Sequence, residues 1–335
     1  MLFKFSRKFI SSILPANTGV HLSRLLLRHF CSSSINIMEQ NIEGFKYTGK
    51  DWKVTGQMKA HFDEFGYMII RGLLTNAETL KLKEFLDKDK GMVDYKMDRD
   101  DGEGRAVGIT VWNHPSDDIL GVVARTERVA GTWEKLLGGE VYHYHSKLIA
   151  KDAFTGGAFV WHQDYGYWYN NGCIFPNLGT TWTAIDRADR KNGCLKIIPM
   201  SHKIGRIDHI RVGKQAGADT ARVEEIEKVC PIIQPELDPG DALFFHCNIL
   251  HRSDQNNSPN RRWGYLCCYN RANNTPYKEN SPHPVYTKLD KLPNSAIMDC
   301  DVTDLAANKE VAAKRDYYIA TPENSAYLQV PEKME

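Results

Sequence analysis

Three things are scarce in this 335-residue sequence. Net charge is the first: 43 Lys and Arg against 42 Asp and Glu leave a formal charge of +1. No long-range field draws a polyanion, which argues against nucleic acid or an anionic membrane as partner. Long apolar runs are the second, since none reaches the roughly 20 residues a membrane-crossing helix needs. Paired cysteines are the third: the eight cysteines form no CxxC pair. Most lie in apolar runs, where a free thiol behaves as a small hydrophobe, so neither a disulfide framework nor a zinc cluster is expected. What remains, 42 % hydrophobic and 25 % charged, is the composition of a globular protein with a sizeable core.

One further absence is local. No Asp or Glu precedes Glu39, while Lys4, Arg7, Lys8, Arg24 and Arg28 stand among Ser, Leu and Phe. An acid-free, basic, amphipathic leader of this kind over residues 1–38 reads as a mitochondrial transit peptide, with Met38 as the competing start and a cytoplasmic or peroxisomal location as the alternative. After it, residues 52–65 have near-helical apolar spacing ended by Gly66, and residues 67–70 read as a short buried strand. Thr75 and Glu78 have capping-box spacing and open a helix to about Lys88, with Leu80, Leu82, Phe85 and Leu86 as its expected buried positions. Residues 98–105 read as an acidic loop, and residues 117–137 as mixed helix stopped by Gly138 and Gly139. From Val141 the period changes to two, and short strands separated by turns run to about Asn270. The proline-rich remainder reads as an irregular wrap, with a helix expected near residues 305–315. Helices first and short strands after suggest a mainly β sandwich or barrel with helices on one outer face.

Two motifs carry chemistry. In Phe159-Val-Trp-His162-Gln-Asp164, a His and an Asp two apart on an apolar strand aim an imidazole and a carboxylate at one point. A second apolar run, residues 242–253, offers His246 and His251. Two His and one carboxylate with other positions open is the donor set of non-haem Fe(II) oxygenases, whereas a lone His-x-Asp is also compatible with a hydrogen-bonded core pair.

These motifs stand in a recognisable order: His162-Gln-Asp164, Trp182-Thr-Ala-Ile, Asn192-Gly-Cys-Leu195, Pro199-Met-Ser-His, Pro239-Gly-Asp, His251-Arg-Ser253-Asp-Gln-Asn256 and Arg262. Over residues 63–270 the chain resembles the phytanoyl-CoA dioxygenase family. The resemblance implies a double-stranded β-helix (jelly-roll) fold, Fe(II), and 2-oxoglutarate and O2 as co-substrates. By position, it makes His162, Asp164 and His251 the metal ligands and Arg262 the partner of the distal carboxylate, which a guanidinium fork suits. Ser253, Trp182, Gln163 and Lys147 are implied to line the co-substrate, and His246 is assigned to the core. Asp164 is a small residue in related halogenases, so its presence favours hydroxylation. The domain plan that follows is a leader over 1–38 and one dioxygenase domain over 45–335, divided into a helical part (50–138), a jelly-roll core (141–270) and the wrap (271–335).

The substrate is expected to be a small molecule. Tyr165, Tyr167 and Trp168 follow the metal pair; such rings either cap the barrel mouth and exclude water or, because aromatic faces bind ammonium groups, receive a small amine or zwitterion. A branched acyl-CoA stays open, with Lys203, Arg206 and Lys214 as possible phosphate contacts. A catalytically silent binding protein and a Lewis-acid isomerase are the competing classes on the same fold. A monomer or weak homodimer is expected.

Overall fold

The computed structural model describes residues 43–89, 96–279, 281 and 283–302. The leader and the helix expected near 305–315 lie outside them. Thirteen strands occur in the described residues: β1 Phe45–Lys46, β2 Tyr67–Arg71, β3 Met97–Asp100, β4 Ala106–Trp112, β5 Val141–Lys151, β6 Phe159–His162, β7 Leu178–Ala184, β8 Leu195–Ile197, β9 His209–Val212, β10 Gln215–Ala218, β11 Ala242–His246, β12 His251–Ser253 and β13 Arg262–Arg271. Eight form one sheet in the order β1-β2-β11-β7-β13-β5-β4-β3, and β6-β12-β8 form a second. Apart from the parallel β1–β2 edge, the large sheet is antiparallel.

Both faces of the large sheet are buried, which is why β5 is apolar or enclosed along its whole length. On the outer face Met68, Ile70, Phe244 and Tyr265 pack against Phe62, Leu82, Phe85 and Trp133 from the helices Gly56–Phe65, Asn76–Lys88 and Thr132–Leu137. On the inner face Ile69, Ile109, Ile149, Trp182, Leu243 and Leu266 meet Ile197 and Ile249 from the side of the small sheet. This is the expected mainly β jelly roll with flanking helices. Strand alternation puts every second residue in each compartment.

The helix boundaries follow the local chemistry. Thr75 accepts from the Glu78 amide while Glu78 accepts from the Thr75 amide at 2.8 Å, closing the capping box. The same Glu78 carboxylate takes the buried Arg128, tying helix to helix. Gly66 ends its helix at φ +77°, where a Cβ would strike His202 and Ile249.

Three expectations need correction. Leu80 is 57 % exposed: Thr79, Leu82, Phe85 and Leu86 form the buried stripe, and two residues before Leu82 is about 200° round the helix. Residues 98–100 are not loop but part of β3, paired in register with β4 (Met97 with Ile109, Arg99 with Val107). Charged residues suit that position because it is a sheet edge. Finally, residues 242–253 are not one strand. The chain leaves the large sheet after His246, turns through Cys247–Leu250, and re-enters as β12 in the small sheet.

Candidate metal and co-substrate site

His162 ends β6, His251 begins β12, and the two are direct cross-strand partners. Their ring centroids are 4.0 Å apart. Asp164 is not on the strand with His162, as its spacing suggested: it is the first residue of the short helix Asp164–Trp168. The turn at Gln163 nonetheless brings the carboxylate round, and donor atoms of His162, Asp164 and His251 all lie within 4.8 Å of one another.

Each candidate ligand is oriented by a neighbour. His162 Nδ1 donates to the Val160 carbonyl at 2.8 Å, and His251 Nδ1 donates to the Ile249 carbonyl at 2.9 Å. In neutral rings this leaves both Nε2 atoms as acceptors, the form a metal requires. Burial drives both imidazoles toward that neutral form, with the neighbouring His251 adding to the effect on His162. Thr180 Oγ1 donates to Asp164 Oδ2 at 2.7 Å, while Oδ1 accepts no hydrogen bond and faces the Lys147 ammonium at 3.5 Å. Burial works to raise the Asp164 carboxyl, but Lys147, His251 and the Thr180 hydroxyl outweigh it and hold it below the usual carboxylate range. Two neutral imidazoles and one ionised carboxylate with an open side fit a ferrous ion.

The triad's histidines line a cleft enclosing about 610 Å³, part of it open to solvent. Arg262 lines the same cleft, 1 % exposed, its Nε and Nη1 without hydrogen-bond partners. Its guanidinium carbon lies 5.4 Å from the Trp182 ring centroid. Gly264 makes room for that ring, because a Cβ there would come within 2.3 Å of it. Burial lowers the Arg262 guanidinium to about 10, so it is still charged at neutral pH. A buried cation with donors left over is a receptor for a carboxylate.

Of the other expected residues, Ser253, Trp182, Lys147 and Tyr167 line the cleft. Gln163 does not. Flanked by two inward ligands, it points the other way, its amide donating to Gly205 and Asn248 carbonyls and accepting from the Ile207 amide. Tyr165 and Trp168 are also turned away: Tyr165 donates to the Cys173 carbonyl at 3.1 Å, and Trp168 packs edge-on against Tyr144 and His145. The three rings therefore form no common cage. His246 sits near Phe62 and His202, outside the site. Thr180, Arg99 and Lys151 were missed, although Lys151 lies four positions after Lys147 on one strand and so shares its face.

The family model of phytanoyl-CoA dioxygenase (PhyH) matches residues 62–264, more than half of the chain. The chain belongs to this family. L-Proline trans-4-hydroxylase of Streptomyces griseoviridis is 32 % identical over 189 residues, 51 % of this chain and 68 % of that protein. Ectoine dioxygenase of Stutzerimonas stutzeri (strain A1501) is 25 % identical over 252 residues, 70 % of this chain and 83 % of that protein. The crystal structure of EctD from S. alaskensis with bound Fe has the same fold, with a TM-score of 0.62 at 21 % identity, over 75 % of this chain and 92 % of that one. Among the described residues no helix is long and apolar enough to cross a membrane.

Proposed function

We propose that this member of the phytanoyl-CoA dioxygenase family is an Fe(II)- and 2-oxoglutarate-dependent hydroxylase that oxidises a small organic substrate at an unactivated carbon and releases succinate and CO2. The observation that carries the reading is one cleft with two poles: the two histidines of the His162–Asp164–His251 donor set line it, and so does a buried Arg262 with unused N–H groups. Iron and the keto acid, when bound, supply the oxidising power that no side chain has. The chain's own residues do the placing. His162, Asp164 and His251 would hold the metal, and Arg262 with Ser253 would hold the distal carboxylate of the keto acid. Trp182 walls one side, and the inner apolar layer keeps bulk water from the reacting carbon.

A small substrate is favoured over an acyl-CoA. The cleft is lined mostly by apolar side chains, Ile109, Ile149, Phe159, Leu195 and Leu266 among them, with its charged groups at two points, which suits the keto acid and one compact partner. The basic residues considered for CoA phosphates form no patch: Lys203 pairs with Glu64, Arg206 with Asp208 and Lys214 with Asp100. The relatives named for L-proline and ectoine point the same way.

Anaerobic addition of Fe(II) and then 2-oxoglutarate should produce a weak visible charge-transfer band that His162→Ala abolishes. A protein that binds the keto acid with no such band, and forms no succinate with any amino acid, amine or acyl-CoA tried, is not this enzyme. For the leader we propose mitochondrial import, checked by whether residues 1–38 carry a fluorescent reporter into the organelle.

A further inference from the structure

Lys151 is fully buried and sits directly across the sheet from Arg262, its register partner. Its Nζ donates to Ser253 Oγ at 2.8 Å and to the Asp254 carbonyl, and lies 5.9 Å from the Phe159 ring centroid. All of these partners are neutral. The carboxylates that face this corner are engaged elsewhere: Asp254 by Lys196 and Arg252, and Asp101 by Gln255 and the amides of Glu103, Arg105 and Ala158. Cys194, before β8, is the remaining titratable neighbour. Two potential cations, both buried, thus share a corner with no anion in contact with either among the described residues. A buried ammonium in such a place gives up its proton, unless a negative charge arrives.

Resting on the co-substrate reading above, we propose that Lys151 is a positioning residue that takes up a proton from solvent when the distal carboxylate of the keto acid settles beside Arg262, so that co-substrate binding is linked to pH. The protonation balances simply: the neutral amine gains one proton from solvent or buffer and becomes an ammonium, and no other bond changes. Its hydrogen bond to Ser253 sets the direction of that hydroxyl, and its acquired charge adds to Arg262 in a region of low dielectric. Burial, then the Arg262 charge, push the free Lys151 ammonium well below the ordinary lysine range; Asp254, Asp101 and Cys194 oppose them more weakly. The bound complex therefore holds more protons than the free protein, and affinity falls as pH rises through the bound-state value.

The test is calorimetric titration of anaerobic, Fe(II)-loaded protein with 2-oxoglutarate in phosphate, Hepes and Tris, from about pH 7 to about pH 9. Different buffer ionisation heats should report uptake of up to one proton, and the Kd should rise about tenfold per pH unit within the window. Lys151→Arg, with a permanent charge, should bind without proton uptake. Lys151→Met should lose affinity most at low pH and converge on the wild type at high pH, whereas a merely structural role would cost the same factor throughout. Buffer-independent heats in the wild type, or an undiminished proton count in Lys151→Arg, overturn the proposal. If Lys151→Met does not fold, the wild-type proton count decides alone. No binding of 2-oxoglutarate at any pH overturns the co-substrate reading itself, which is a different failure.

Discussion

The two faces of the large sheet are made by the same strands and serve opposite ends. Along β13, Tyr265 and Tyr269 point outward into an aromatic and aliphatic layer, their hydroxyls donating to the Leu120 and Ala124 carbonyls. Arg262, Gly264 and Leu266 point inward, where Arg262 keeps donors without partners. The outer face satisfies its polar atoms and is built for stability. The inner face leaves charge uncompensated, and that is costly in an empty protein but useful once an anion and a cation enter. Side-chain alternation of period two is what allows both in one strand.

If this division holds, substitutions on the two faces should separate binding from folding. The largest effect is expected at Arg262→Met. Losing one partner of a buried charge pair costs about 2–5 kcal/mol in binding, or roughly thirtyfold to several thousandfold in the Kd for 2-oxoglutarate. The melting temperature of the ligand-free variant should nonetheless be equal or higher, because an unpaired buried cation has gone. A clear drop in melting temperature would mean that Arg262 is structural. Next is Trp133→Ala on the outer face, where the ring packs against Phe62, Phe244 and Tyr269 and its Nε1 donates to Thr181. A loss of about 3–5 kcal/mol in denaturant unfolding is expected. Keto-acid affinity per folded molecule should stay within about threefold, since no cleft contact is removed.

Acid should act on stability through buried histidines outside the ligand set. Burial lowers His143, His246 and His283 to about 3, against an ordinary 6.5. The unfolded chain then binds protons that the folded one refuses. Stability is complete above about pH 6.5 and declines as pH falls toward 3, by up to about 1.4 kcal/mol per pH unit for each such histidine. Unfolding titrations at neutral pH and near pH 5.5 measure it; equal midpoints would show that these rings charge freely. The smallest effect is expected at Leu80→Ser. At 57 % exposure it should change stability by about 0.5 kcal/mol or less, and a loss above about 2 kcal/mol would restore Leu80 to the buried stripe.

What could be read from the sequence divides along physical lines. Local chemistry was legible: Thr75 with Glu78 and Gly66 after Phe65 set helix ends by hydrogen bonds and backbone freedom within a few residues. The order of the motifs carried the fold, and the three side chains they single out, His162, Asp164 and His251, bring their donor atoms within 4.8 Å of one another. Long-range placement was less legible. Asp164 reaches His162 by a strand-to-helix turn, not along a strand, because Gln163 is held outward by Gly205, Ile207 and Asn248, residues more than forty positions away. The outward turn of Tyr165 and Trp168 likewise depends on Cys173, Tyr144 and His145. Lys151 is a different kind of miss. Strand parity puts it on the face of Lys147, but its burial and its place beside Arg262 come from the long-range pairing of β5 with β13.

Strand β12 is three residues long, with His251 at one end, Ser253 at the other, and a register irregularity between them against β6. One short peptide thus belongs to both poles of the cleft. Tilting or lengthening it moves an imidazole and a hydroxyl together, so damage here should not yield a protein that keeps metal and forgets the keto acid, or the reverse. Variants of this segment should fall along a single line when one affinity is plotted against the other, which makes the buried turn over residues 247–250 the natural place for laboratory tuning of the whole centre at once.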